Sequence, residues 1–491
     1  MISRRRRSQA RGLSVARGAT LFAALASTVL GTAAHAEPEL DWRGYIASDF
    51  RLLASDAPSF ERLEGRADVR LGAHLSDHVG AVGNLRLIFT HRPEIADFAG
   101  LVDRTRLDPW RLESDALFVE FTDVLVDGLD LRLGRQQIIW GSADKFHPIS
   151  NLNALDVEDP TLFGATLANQ MISLAYRPSV SLGPEDCPTL DELSFQLVWV
   201  PFFKPARLPQ SAGLAFTDHD VFAHRANTPL LKRLIAQEDA LIGAGWTFTN
   251  DPRVVLPDET LDNSMVGARM GGKLLGIDMG FSYFYGFDDF PRAEKIETEI
   301  AVTDVTGTVT LTYPRVHVLG FDAATSLDWL DGLGLWTEIG LTLHEDLYRV
   351  VATGPTIGIN EIEKEHEAGA FVKAVVGIDY TPVEWLYLNV QYLHGFLDEF
   401  GASSLDDYLV AGADFKLAAD RVLLRLFGIV DFADGSFVLY PQVTVKPWSA
   451  GEIVLGAFIY SSAFGGHDET TKFASRAAGS STVFLKAKAS F

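Results

Sequence analysis

The chain has 491 residues, with 65 acidic against 42 basic side chains and a formal net charge of −23. An acid excess of that size argues against nucleic acid as a partner, and a single cysteine rules out an internal disulfide framework. Beyond the first 36 residues no uninterrupted apolar run of about 18 residues occurs, which excludes a bundle of membrane helices.

At the amino end, Arg4 to Arg7, Arg11 and Arg17 precede an apolar stretch from Ala19 to Ala34 and the small-x-small sequence Ala34-His35-Ala36. This order of basic, apolar and cleavable segments predicts a secretory signal peptide over 1–36. No cysteine follows the site, so a lipoprotein anchor is not expected. The signal holds six arginines and no acid, so its removal takes the mature chain, 37–491, to about −29. About four residues then separate the cleavage site from the first predicted strand at Asp41. That is too few for the plug of a TonB-dependent receptor or the amino-terminal hatch of a fatty-acid channel.

The mature chain reads as short segments of alternating apolar and polar residues bounded by turn signals, about eighteen in all. They begin near Asp41, Arg66, Gly80, Leu112, Asp130, Gln170, Leu193, Ser264, Gly276, Val309, Leu333, Gly369, Trp385, Asp407, Arg421, Phe437, Gly451 and Thr482. Short turns such as Leu75 to His78, Leu274 to Gly276 and Pro447 to Gly451 alternate with mostly long polar connections. An antiparallel barrel with short periplasmic turns and long external loops requires that alternation, whereas a soluble sandwich does not. The composition agrees, because 42 Gly, 32 Phe, 12 Tyr and 9 Trp suit strands with aromatic girdles. The expected fold is all-β, a transmembrane antiparallel barrel of about eighteen strands in the outer membrane.

Within the connections, residues 141–169 are too long and too apolar to stand free in water. Phe146, Ile149, Leu152, Leu155, Leu162 and Phe163 predict a loop that folds inward and narrows the barrel, with Asp144, Phe146, Asp156 and Phe163 at the constriction. A long external insert spans 203–263, and Leu230, Leu231, Leu234 and Ile235 within it have helical spacing. The terminal strand places Val483, Leu485, Ala487, Ala489 and Phe491 on one face and Thr482, Phe484, Lys486, Lys488 and Ser490 on the other. Its aromatic carboxy-terminus is expected to engage the barrel-assembly machinery.

The same period-2 sorting assigns a lumen side throughout, since a charge facing lipid at mid-depth costs roughly 2–4 kcal/mol. Its basic candidates are Arg43, Arg51, Arg70, Arg86, Arg132, Lys373, Arg421, Arg425, Lys446, Lys486 and Lys488, outnumbering acids such as Asp49, Glu120, Glu338 and Asp414. A basic lumen would concentrate anions, while the acidic loop tips, among them Glu361, Glu363, Glu365 and Glu367, would meet divalent cations and lipopolysaccharide. The alternative is that wall charges pair with one another and with infolded loops.

Leu129-Asp130-Leu131-Arg132-Leu133-Gly134-Arg135-Gln136 leads through Trp140-Gly141 into a loop bearing Asp144, Phe146, Pro148, Asp156 and Pro160, and Pro201, Pro205 and Arg207-Leu208-Pro209 follow the seventh strand. Over roughly 129–209 this pattern resembles the outer-membrane barrel family associated with RND-type transporters, in the style of alginate-export porins. The resemblance implies a passive channel or export conduit with no catalytic residues.

Chemistry of other kinds finds little purchase. No Gly-x-Ser-x-Gly, His-Glu-x-x-His or phosphate-binding glycine loop occurs, and no catalytic residue is expected. Asp218-His219-Asp220 with His224 offers ligand types, but such loop clusters are usually solvated, and neither a metal nor a cofactor is expected. The predicted function is an outer-membrane porin passing small solutes, with anions favoured. The alternatives are a conduit for hydrophobic compounds beside an RND-type exporter, for which an apolar lumen pocket would speak, and a structural barrel with a fully plugged lumen. The expected partners are outer-membrane lipid and lipopolysaccharide, the assembly machinery and a small solute.

Overall fold

The computed structural model describes residues 39–54, 58–90, 93–95, 97–183, 189–209, 228–301, 304–354, 356–461 and 481–491. The predicted signal segment, Cys187 and the Asp218-to-His224 cluster lie outside the described residues.

The wall of the molecule is one closed antiparallel sheet. In chain order its strands are β1 (Glu39–Leu53), β2 (Ser59–Ser76), β3 (Val79–Thr90), β4 (Trp110–Glu113), β5 (Leu117–Phe121), β6 (Leu129–Gln136), β7 (Asn169–Tyr176) and β8 (Leu190–Val200). After β9 (Thr247–Val254), which lies elsewhere, come β10 (Met265–Leu274) and β11 (Ile277–Phe287), then β14 (Arg315–Leu327) and β15 (Leu333–His344). The remainder is β18 (Gly369–Val383), β19 (Leu386–His394), β20 (Asp407–Leu417), β21 (Val422–Asp431), β22 (Phe437–Val445), β23 (Gly451–Ser461) and β24 (Thr482–Ser490). β4 and β5 both pair with β3, one wall strand interrupted at Ser114 to Ala116, so the wall has eighteen strands. It closes where β1 pairs antiparallel with β24 over Tyr45↔Ser490 to Leu53↔Thr482. Gly44 and Phe491 extend the seam, each backbone N–H donating to the other's carbonyl at 2.9 Å.

Short turns fall at one end. Between β10 and β11 the turn is only Leu275-Gly276, at φ 52° and 81°, the two left-handed residues of a tight hairpin. At the other end are the long connections. The outer face carries the apolar half of each strand: Trp42 is 62% exposed and Leu455 53%, and Val69, Leu85, Phe281, Val376, Leu426 and Leu485 are likewise exposed. Such a face is stable only against lipid, and a closed sheet leaves no backbone edge unpaired there. The protein is an outer-membrane β-barrel, with its short turns toward the periplasm by the usual orientation of such barrels.

A second sheet stands at the long-loop end. It takes β9 from the 203–263 insert, β12 (Arg292–Ala301) and β13 (Asp304–Thr312) from one connection, and β16 (Leu347–Thr353) and β17 (Asn360–His366) from another. Two of its pairings, β12 with β16 and β13 with β9, are parallel, which hairpins cannot make. Helix α1 (Pro229–Gly243) packs on it, burying Leu230, Leu231, Leu234 and Ile235 against Ile296, Val305, Val309, Leu311 and Val351. Thr228 caps the helix, its Oγ1 accepting from Leu231 N at 3.2 Å, and Pro229 holds the first helical position. The expectation of a tenth wall strand from Val309 is therefore corrected. Val309 belongs to this cap, and the wall strand starts at Arg315, three residues after the cap strand ends at Thr312. Tyr313-Pro314 intervenes, and both segments alternate apolar with polar, so period alone fused them.

Candidate functional site

The lumen is occupied by the connection from Gln137 to Ala168. It enters along β8 and β10, where Trp140 is buried and its Nε1 donates to Gln196 Oε1 at 2.8 Å. Gly141 then passes beneath Glu338, a wholly buried carboxylate of β15. A Cβ on Gly141 would stand 2.0 Å from Glu338 Oε1, and the residue has φ 113°, so only glycine fits this crossing. Glu338 Oε1 accepts from Ala143 N at 2.6 Å and lies 3.0 Å from His147 Nδ1. Leu155 N donates to Asp289 Oδ2 at 2.7 Å, tying the loop to the β11–β12 connection.

The far end of the loop is bound to the opposite wall. Arg51 of β1, 1% exposed, donates through Nη2 to Asp159 Oδ2 and to Asp49 Oδ2, both at 2.6 Å. Arg62 of β2 pairs with Glu158 at 2.5 Å and stands 3.6 Å from Asp159. Lys486 of β24 hydrogen-bonds Thr161 Oγ1 and lies 3.6 Å from Asp49. The loop thus bridges from β14 and β15 to β1, β2 and β24. Between these anchors Phe146 and Phe163 meet at 4.6 Å, and Phe146 reaches Phe396 of the β19–β20 connection at 5.4 Å.

The basic candidates divide by depth. Arg86 pairs with Asp68 at 3.1 Å and Asp115 at 2.5 Å, Arg132 with Glu120 at 2.7 Å, and Arg425 with Asp414 through two bonds of 2.7 and 2.6 Å. Lys373, inward on β18, donates to Leu397 O at 2.9 Å. Wall charges at depth therefore pair with wall acids and with the infolded loop, the alternative left open by the sequence, because an unpaired charge there would keep its full desolvation cost. Arg43 and Arg70 face inward as register neighbours near the short-turn end, and Lys488 stands 4.8 Å over the Tyr45 ring. Arg421 is corrected: it lies in the exposed turn before β21, not within the strand, and Lys446 lies just past β22. No ion pair is described for Arg43, Arg70, Arg421, Lys446 or Lys488.

Of the constriction candidates, Asp144, Phe146 and Phe163 line a cavity of about 940 Å³ between the loop and the wall from β19 to β24. Asp156 lies apart, 3.8 Å from Arg207. The cavity's far wall is largely aromatic, and none of its aromatic residues was among the sequence candidates. Phe427, Tyr440, Phe458 and Tyr460 face inward there, with Tyr440 and Phe458 stacked at 4.4 Å and Phe458 and Tyr460 at 6.3 Å. The signal was available, since inward parity on β21 to β23 selects these residues as surely as it selects Arg425.

Outside the membrane, Glu238 and His366 are among the titratable groups of the cap with displaced affinities. Burial on the packed face of α1, with Asp239 adding repulsion, pushes the Glu238 carboxyl up to about 7. Burial, with Arg292, His344 and Arg349 nearby, lowers His366 to about 4.

Residues 105–347, just under half of the chain, match a family model described as "Protein of unknown function (DUF1302)". No curated protein matches the chain. Among solved structures, it is similar to OmpT, an outer membrane protein of Vibrio cholerae, at 10% identity and TM-score 0.36, covering 93% of this chain and 100% of that one. It is also similar to Salmonella typhi OmpF in complex with daunomycin, at 10% identity and TM-score 0.35, covering 92% and 97%. Likenesses this distant carry no argument about function, and none of these descriptions mentions an RND-type transporter.

Proposed function

We propose that this protein is a passive outer-membrane channel for small solutes, in which the Gln137–Ala168 loop sets the narrowest passage. The carrying observation is that the loop is bound to both sides of the lumen, at Glu338 and at Arg51, while a cavity of about 940 Å³ stays open beside it. A purely structural barrel with a plugged lumen would leave no such space. Anion preference, on this reading, arises at the short-turn mouth from Arg43, Arg70, Lys446 and Lys488, because the deeper arginines Arg51, Arg86, Arg132 and Arg425 are paired with acids. The reading assigns no catalytic residue.

Purified protein in a planar bilayer should give discrete current steps, and excision of residues 144–164 should enlarge them. Folded, inserted protein that passes no current would overturn the proposal. A second reading, a path for apolar compounds, is favoured by one observation, the aromatic wall of the cavity.

A further inference from the structure

The cavity beside the loop has two unlike walls. On one side Phe146, Phe163 and Phe396 form a cluster, with Phe146 central, and across from it Phe427, Tyr440 and Phe458 line the barrel wall. The other edge is polar. There Arg425 stands 5.5 Å over Phe427, its Nε and one Nη2 hydrogen directed to Asp414. Nη1 makes neither of those bonds and keeps its N–H groups for another acceptor.

Charge balance narrows the occupant. Glu158 and Asp159 also line the space, but each is held by an arginine of the opposite wall, and Arg425 itself is compensated by Asp414. Glu61, Asp144 and Lys145 line it as well, so a ligand carrying a full charge of either sign would meet fixed charges of both signs rather than a cluster of the opposite one, and entering a space with so much aromatic surface would cost it hydration. A neutral molecule avoids that cost. The volume lies at the upper end of the range of about 300–1,000 Å³ typical of small-molecule sites.

We infer that this cavity is a solute-binding site for a flat, mostly apolar, uncharged molecule with one oxygen acceptor at its edge, an aromatic alcohol or ketone, its rings against Phe427 and Phe458 and its oxygen toward Arg425. The inference rests on the channel reading and names the solute class that the channel holds on its way through. It places specificity in the aromatic wall and the Arg425 edge, and leaves the ionic wall of β1 and β2 to fix the loop.

The probe is 2-naphthol, with 2-naphthoate as its charged counterpart and inositol as a polar one of no apolar body. Titration calorimetry on the full-length protein in detergent, against a detergent blank, should show one saturable site for 2-naphthol, at least tenfold weaker binding of 2-naphthoate and none of inositol. In a planar bilayer 2-naphthol should interrupt the single-channel current reversibly. Phe427→Ala should weaken binding about tenfold, the scale of one lost aromatic contact together with its burial. Ile429→Trp, which fills the cavity from a lumen-facing position, should abolish binding while the barrel stays folded by heat-modifiability.

Absence of a saturable site in the wild type, equal binding by Ile429→Trp, or tighter binding of 2-naphthoate would each overturn the inference. Current steps without 2-naphthol binding would refute this site and leave the channel standing. Saturable binding without current would do the reverse.

Discussion

Asp159→Ala should loosen the loop from the β1 wall. Asp159 is 2% exposed and takes a 2.6 Å charged hydrogen bond from Arg51, with Arg62 and Arg66 within 3.6 and 3.7 Å. Removing one member of such a buried set costs about 3–5 kcal/mol when the partner is stranded. Here Arg51 keeps Asp49 at 2.6 Å, so about 2–3 kcal/mol is the better figure, a factor of roughly 30 to 150 in the docked-to-undocked ratio. Glu158 with Arg62, and Glu338 with Ala143 and His147, still hold the loop. The expected result is a folded, heat-modifiable barrel whose single-channel current shows added excursions to higher conductance, while its mean rises modestly. Adding Glu158→Ala should turn the excursions into a lasting increase. Records from both variants indistinguishable from wild type would refute the idea that this ionic set positions a flow-limiting loop.

Gly141→Ala, forced against Glu338 at φ 113°, should displace the same loop from its other anchor and raise conductance too, read in the same bilayer. Deleting Phe491 removes two seam hydrogen bonds with Gly44 and a ring contact of 5.7 Å with Trp42, so the yield of heat-modifiable barrel in the outer membrane should fall; an unchanged yield would contradict this. Arg43→Glu together with Arg70→Glu should shift the zero-current potential in a salt gradient toward cation preference, whereas unchanged selectivity would remove the short-turn mouth from the account. In the cap, a Glu238 carboxyl raised above its unfolded value of 4.5 makes stability greatest below that pH and lowers it as pH rises toward about 7. Glu238→Gln should therefore slow amide exchange in α1 at pH 8, by up to about 3 kcal/mol of opening free energy. His366 runs the other way. Its depressed affinity makes the cap lose stability as pH falls from 6.5 toward about 4, so His366→Phe should flatten exchange in β17 over that window.

Much of the wall was legible because lipid enforces it. A residue pair such as Leu485 and Lys486 cannot exchange faces without putting an ammonium into hydrocarbon, so period 2 fixes which side each strand shows, and the count of eighteen survives even where one start was misplaced. The cap was not legible for the same reason. Val305, Val309 and Leu311 bury against α1 rather than lipid, and alternation does not record what lies across from it. Nor does it record which distant loop residue meets a wall charge: Asp159 reaches Arg51 across 108 positions. The lumen therefore looked basic in sequence, where only the charges of one chain segment could be weighed together. Phe427, Tyr440 and Phe458 were within reach of the parity rule, but a search for conduction that starts from charges passes over rings.

The measurement nearest to the central claim is the single-channel conductance of the full-length protein against a variant in which residues 144–164 are replaced by a short glycine-serine linker, both checked for heat-modifiability. The loop-narrowed channel predicts discrete steps in both, larger by severalfold in the variant, with interruptions by 2-naphthol seen only in the full-length protein. Steps of equal size in the two, or none in either, would contradict it.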